Sequence, residues 1–433
     1  MKIGFISLGC AKNLVDSEYI IGMFDKGRFE ISNDPSECDV IVINTCGFIL
    51  SAKEEAINTI LEMAEYKSQN LKKLIVTGCF AQRYHDELVD EFPEVDAFIK
   101  IDDYDHLDSI LSDVLEMEIT NKYTQHRALI TNNYYAYLKI AEGCDNRCAY
   151  CAIPLIRGKC NSYPIEDIVK EAKRLYGLGV KELNVIAQDT TYYGFDRYGK
   201  FMLKELLSQL NEIPFKWIRL LYMYPDEIQD ELLVAMTKMD RVLPYFDIPT
   251  QYGNDLVLKK MNRRGSVKLI KEKCARIREL FPNAVLRTTL ITGFPYETDE
   301  TFKDTLDFVK ELEFDSLGAF TFSPEDDTKA LEYPEEVCVD HELAQERYNE
   351  LMELQNHIIS KKNEKRIGQT YEVLVERYEE LYGLYVGRAY FSAPDGVDGV
   401  VYIDSDKALN VGEFYNVKID RVKEYDFFGK VVE

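Results

Sequence analysis

Short β-branched apolar runs, each followed by an amphipathic helical stretch, recur from Lys2 to about Phe322, and this alternation restricts the chain to parallel sheets covered by helices. The first three runs are KIGFISLGC, DVIVINTCGF and KLIVTGCFAQR, which turn at Cys10, Cys46 and Cys79. They predict a doubly wound parallel sheet within residues 1–130, with Ser51 and Glu54 as a capping box for a helix reaching Lys67. A second series begins near Asn133. Its predicted strands are Tyr135 to Ala141, Lys181 to Ala187, Trp217 to Tyr222, Pro244 to Ile248, Ala284 to Ile291 and Ser316 to Phe322. Helical stretches separate them, at Ile165 to Tyr176, Leu203 to Leu210, Glu227 to Met239, Val267 to Leu280 and Thr298 to Leu312. Six parallel strands with right-handed crossovers make a partial (β/α)6 barrel. A charged helix, about Asp340 to Lys365, closes this part.

From Ile367 the pattern changes to TYEVLVERY, LYVGRAYF, DGVVYID, FYNVKIDRV and FFGKVV, with turns at Pro394-Asp395-Gly396 and Val411-Gly412. This predicts a five-stranded antiparallel β-barrel of the oligonucleotide-binding kind. The expected organisation is thus α/β with domains at 1–130, 131–365 and 366–433. At 433 residues two or three domains are the prior.

Within this frame, the run GCDNRCAYC carries the sharpest chemistry. Cys144, Cys148 and Cys151 can hold three corners of a 4Fe-4S cluster and leave the fourth iron open. An open position is what reactive metal sites keep. The alternative is a structural zinc site with Cys160 as fourth ligand; only one CxxC pair is present, and no later CxxC or HxxxH supplies a second, which favours the cluster and leaves Cys160 a bystander. The loop follows the first strand of the second series, at the carboxyl end where barrel enzymes keep their chemistry.

Cys10, Cys46 and Cys79 each sit where a strand enters its loop. If those strands are neighbours, the thiols converge on the carboxyl edge of the sheet and can hold a second three-thiolate cluster. The plainer alternative makes each a small buried hydrophobe. Polar residues after the later strands form the rest of a binding edge: Gln188, Asp189, Gln251, Thr292, Gly293 and Ser323, with turn chemistry as the competing explanation. Cys38, Cys274 and Cys338 read as packing residues, and the five histidines form no metal or catalytic motif.

The amino terminus resembles no signal peptide and no apolar run is long enough to span a bilayer, so no membrane is expected. Ten cysteines in such a chain fit a reducing, cytoplasmic setting. The formal net charge of -24, from 76 acidic against 52 basic residues, repels nucleic acid and attracts basic partners. Residues 366–433 share that bias, with eight Lys and Arg against thirteen Asp and Glu, a net of -5 and no basic stripe.

Taken together, SLGCAKNLVDSE, NTCGFI, TGCFAQRY, EGCDNRCAYCAIP, RLLYMYPDEI, TTLITGFPYET and FTFSPEDDT resemble the radical S-adenosylmethionine methylthiotransferases along the whole chain. Asp327 stands where relatives often carry glycine, and Cys160, Asn161 and Tyr163 where they often carry aromatic or basic residues. The resemblance implies a methylthiotransferase domain, a radical core and a carboxyl-terminal TRAM domain. It also implies S-adenosylmethionine and two 4Fe-4S clusters, on Cys144, Cys148 and Cys151 and on Cys10, Cys46 and Cys79, with Tyr150, Gln188, Asp189, Thr292, Gly293 and Ser323 as cofactor contacts. The nearest subgroup acts on small-subunit ribosomal protein twelve. There a 5'-deoxyadenosyl radical removes hydrogen from the β-carbon of an aspartate, and a sulfur group from the second cluster gives 3-methylthioaspartate. An electron donor such as flavodoxin is implied. The sister subgroup, which modifies isopentenyladenosine in transfer RNA, is disfavoured by the acidic TRAM domain; a non-enzymatic iron-sulfur carrier is the remaining alternative.

Overall fold

A computed structural model describes every residue of the chain except Asp395, Val397 and Glu433. It divides into two compact units. The first comprises Met1–Thr131, Glu142–Asn161 and Ser323–Leu331; the second comprises Asn132–Ala141, Ser162–Phe322 and Glu332–Glu433.

The first unit is built on a parallel sheet of β1 (Lys2–Ser7), β2 (Glu30–Ile31), β3 (Val40–Thr45), β4 (Lys73–Gly78) and β5 (Ala97–Ile99), in the order β2-β1-β3-β4-β5. Alternation along the strands splits the core in two. Val40, Val42 and Ile75 pack with Ile20, Leu107 and Leu111 on one face. On the other, Ile41, Ile43, Leu74 and Val76 pack with Ile60 and Met63. This is the doubly wound arrangement, and it makes the three cysteine-bearing strands neighbours with β3 in the middle. The Ser51–Glu54 capping box does not form. The helix Leu50–Ala64 starts earlier, with Ile49 at its N-cap and no side-chain cap, so Ser51 already lies inside the first turn.

The second unit contains six parallel strands, β6 (Tyr135–Lys139), β7 (Glu182–Ile186), β8 (Trp217–Leu220), β9 (Val242–Asp247), β10 (Val285–Thr292) and β11 (Ser316–Thr321), ordered as in the sequence and open at both ends. The helix Val267–Leu280 has the predicted bounds because Ser266 accepts a hydrogen bond from Leu269 N. The stretch predicted as one helix from Glu227 instead makes a 3-10 turn, Pro225–Glu227, and a separate helix, Asp230–Met236. Proline fixes the turn, and Ile228 and Gln229 then adopt extended backbone. Asp340 caps the long helix His341–Glu364.

The carboxyl-terminal strands β12 (Thr370–Glu379), β13 (Leu384–Ala389), β14 (Val401–Asp404), β15 (Phe414–Lys423) and β16 (Asp426–Val431) close into a barrel. Its seams are antiparallel except one: β14 pairs parallel with β16, from Val401↔Phe427 to Asp404↔Lys430. The predicted turn at Pro394-Asp395-Gly396 falls on Asp395, outside the described residues. Cys38 and Cys274 are buried as packing residues, whereas Cys338 is exposed, at the end of the short turn Glu335–Val337. Among the described residues no helix is long and apolar enough to cross a membrane.

Candidate functional site

Cys10, Cys46 and Cys79 meet at the carboxyl edge of the first sheet, and glycines make the meeting possible. A Cβ at Gly9 would lie 2.7 Å from Cys46 Cβ and 3.0 Å from its sulfur, and one at Gly47 would lie 2.8 Å from Phe80 Cα. Gly78 has φ +94° and ψ −162°, backbone that side-chain-bearing residues essentially never adopt, and its Cβ would lie 2.2 Å from Asn44 Oδ1. The three cysteine loops are therefore packed backbone to backbone, with side chains absent from the residue beside each thiol.

Beneath them lies a buried polar mesh. Asn13 Nδ2 donates to Leu8 O at 3.1 Å and to Thr45 O at 2.9 Å, tying the first loop to the second. Asn44 Nδ2 donates to Asn13 O at 2.8 Å, and Thr45 Oγ1 to Thr77 O at 2.5 Å, extending the mesh to the third. Burial pushes the thiol of Cys46 up and that of Cys79 up to about 12, with the neighbouring cysteines adding to it and Arg157 opposing it. A metal that binds here must therefore displace protons. Gly78→Ala is expected to cost about 3 kcal/mol, the upper end for backbone strain, and to lower the iron bound per chain if these thiols hold a cluster. Urea denaturation and iron analysis check it; an unchanged midpoint would contradict the close packing.

The loop with Cys144, Cys148 and Cys151 belongs to the same unit. Cys144 N donates to Gly158 O at 3.2 Å and Cys151 N to Cys148 O at 3.0 Å, which folds the loop back on itself. All three cysteines and Tyr150 are partly exposed. Arg147 has φ +50°, a left-handed conformation uncommon outside glycine. Ala330 N donates to Ala149 O at 2.8 Å, so the segment after β11 holds the loop from outside. That segment is anchored by Glu325, whose Oε2 lies 3.0 Å from both Arg83 Nη1 and Lys53 Nζ. Ser323, expected at the cofactor, donates to Glu325 Oε1 at 3.1 Å. No three His, Cys, Asp or Glu side chains among the described residues stand close enough to share a single metal ion. A cluster, whose thiolates sit on separate irons, does not require that closeness.

The other predicted contacts lie in the second unit. Asp189 Oδ1, after β7, accepts from Thr191 N at 3.0 Å and Thr191 Oγ1 at 2.6 Å; Gln188 precedes it, half-buried. Glu227, which the sequence did not single out, is buried after β8. Burial, Asp189 and Asp226 push its carboxyl up to about 8 against the opposing pull of Arg264, to which it is ion-paired. Glu227 and Asp189 thus stand as neighbouring acidic groups after β8 and β7. Gln251, at φ +70°, accepts from Ile291 N at 2.9 Å. Thr292 Oγ1 donates to Ala344 O at 3.1 Å, and a Cβ on Gly293 would lie 2.3 Å from Ala344 Cβ, so these two positions seat the long helix against β10.

Comparison with known proteins gives these features a context. Residues 2–100 match the uncharacterized family UPF0004, residues 138–309 the radical SAM superfamily and residues 367–432 the TRAM domain. The chain is 47% identical to "Ribosomal protein uS12 methylthiotransferase RimO" of Acetivibrio thermocellus over 100% of its own length and 98% of that protein's. The identity is also 47% to the protein of that name from Aquifex aeolicus, again over 100% and 98%. The chain belongs to the RimO family of methylthiotransferases. Among solved structures, the radical S-adenosylmethionine methyltransferase TsrM of Kitasatospora setae aligns with a TM-score of 0.54 at 11% identity, covering 73% of this chain and 72% of that one. The cobalamin-dependent radical enzyme OxsB aligns with a TM-score of 0.52 at 12% identity, covering 83% and 56%. These two likenesses speak to the fold alone. RimO-family membership makes the chain an enzyme of the radical S-adenosylmethionine methylthiotransferase class, with iron-sulfur and S-adenosylmethionine chemistry.

Proposed function

We propose that this chain methylthiolates the β-carbon of an aspartate in small-subunit ribosomal protein uS12, giving 3-methylthioaspartate. The observation that carries the reading is full-length similarity to proteins named for that activity, in a chain whose two cysteine triplets fold into one compact unit. Cys144, Cys148 and Cys151 would hold one 4Fe-4S cluster, and Cys10, Cys46 and Cys79 a second. Bound there, the clusters and S-adenosylmethionine supply one-electron cleavage of the sulfonium and a sulfur for transfer. The protein's own contribution is placement. The glycine-lined edge lets the loops of Cys10, Cys46 and Cys79 approach closely, and the mesh through Asn13 and Asn44 ties them together. Within the second unit, Gln188, Asp189, Thr292 and Gly293 remain proposed contacts of S-adenosylmethionine, with Glu227 added.

The net charge of -24 supports a basic protein substrate over transfer RNA, and a low-potential donor such as flavodoxin would supply electrons in the cytoplasm. The test incubates reconstituted, reduced enzyme and S-adenosylmethionine with uS12 and, separately, with total transfer RNA. Mass spectrometry then reads both substrates. A methylthio increment on an aspartate of uS12 with unchanged nucleosides is the expected result. Methylthioadenosines with unchanged uS12 would move the chain to the transfer RNA activity.

A further inference from the structure

Arg157 ends the short helix Ile153–Arg157, shortly after Cys151, yet its guanidinium lies at the other cysteine triplet. The side chain is 1% exposed. Nη2 donates to Asn13 Oδ1 at 2.6 Å, to Asp16 Oδ2 at 3.0 Å and to Cys79 Sγ at 3.5 Å, and Nη1 donates to Glu142 Oε1 at 2.8 Å. Ala152 and Ile156 of the same loop pack against Cys79. We infer that Arg157 is a positioning residue for the second cluster: it is the charge partner and N–H donor of the Cys79 sulfur and sets the reduction potential of the group on Cys10, Cys46 and Cys79. This rests on the proposal that those thiols hold a cluster.

The three thiols differ in their need for such a partner. Cys10 is exposed and Cys46 partly so, and water can solvate sulfur there, whereas Cys79 is buried. As a thiol, Cys79 donates to Asn13 Oδ1 at 3.4 Å. Bound to iron it has no proton to give and becomes an acceptor in a low-dielectric place, where an unpaired negative charge is costly. The guanidinium answers both needs, because its fork carries a fixed charge and enough N–H groups to serve a sulfur as well as oxygens. Asp16 and Glu142 hold that fork from two sides, and Tyr123 in turn donates to Asp16 Oδ1 at 3.0 Å. Positive charge and N–H···S hydrogen bonds stabilise the reduced state of an iron-sulfur cluster and so raise its potential. The loop that carries one triplet thereby tunes the other.

The test uses full-length protein with Cys144, Cys148 and Cys151 replaced by alanine, so that iron on the remaining triplet is read alone. Its midpoint potential is measured by redox titration followed by electron paramagnetic resonance, with Arg157 intact, as R157K and as R157Q. Iron and sulfide analysis accompanies each. The expected result is a potential shifted negative in R157K, which keeps the charge without the fork, and further negative in R157Q. Should R157Q fail to fold, R157K decides. Cluster-loaded R157K at the wild-type potential would overturn the inference while leaving the two-cluster proposal standing. Absence of any cluster with Arg157 intact would overturn that proposal, and this inference with it.

Discussion

Cys148→Ala is expected to abolish formation of 5'-deoxyadenosine, by more than about 100-fold, since losing a ligand should exceed the effect of losing a group behind one. The contribution of Cys148 to the loop fold is through its backbone: its carbonyl accepts from Cys151 N at 3.0 Å, and alanine keeps that bond. The thiol is partly exposed, so its removal opens no large cavity. The loop should therefore fold with two thiolates where three are needed. Bound iron is expected to fall by about half, because the triplet at Cys10, Cys46 and Cys79 is untouched and a 4Fe-4S cluster there would persist. The complementary replacement of Cys10, Cys46 and Cys79 should reverse the pattern, keeping 5'-deoxyadenosine and losing methylthio transfer. Chromatography of the nucleoside and iron analysis read both. Retained cofactor cleavage in Cys148→Ala would sink the radical assignment.

The adjacency of the three strands that lead into Cys10, Cys46 and Cys79 was legible because it needs only the strand–helix alternation of a doubly wound sheet. Helix bounds followed local chemistry: Ser266 and Asp340 are caps that a sequence displays, whereas Ile49 at the start of Leu50–Ala64 displays nothing. What escaped was long-range. Arg157 and Asn13 are far apart in the chain and meet only once the loop after Cys144 lies against the first sheet's carboxyl edge. Glu325 sits in the run FTFSPEDDT, yet nothing local says that its partners are Lys53 and Arg83. The parallel seam of the barrel was missed because strand patterns carry no direction. The sequence does carry one long-range signal. Glu182 opens one strand and Arg219 and Arg388 fall within two others, and a charge in a buried run predicts an opposite charge to meet it.

Those three charges meet in the second unit, and Glu182→Gln is expected to destabilise it by about 3–5 kcal/mol. Glu182 and Arg219 are fully buried, with Arg219 Nε 2.8 Å from Oε1; Arg388, from β13, reaches Oε2 with Nη2 at 2.6 Å. Arg388 has a second carboxylate in Glu376, at 2.8 Å, but Arg219 would be left with the Tyr390 carbonyl at 2.8 Å and the Tyr245 ring, whose centroid lies 4.4 Å from its guanidinium carbon. Glutamine reproduces the shape of Glu182 without its charge, so the cost is that of a buried cation without a counterion. Glu376→Gln is a milder control, because Arg388 keeps Glu182 and the Glu376 side chain is 13% exposed. The pH dependence gives a second check. Burial raises the carboxyl of Glu182, and the guanidiniums of Arg388 and Arg219 outweigh it, leaving it below the ordinary value of 4.5. A depressed carboxyl contributes stability above its unfolded value and loses it as pH falls through the folded one. The gap between wild type and Glu182→Gln should therefore be flat near neutrality and close below about pH 4.5. Urea midpoints across that range measure it, and a gap under about 1 kcal/mol at pH 7 would mean that the two arginines find other partners once Glu182 is neutral.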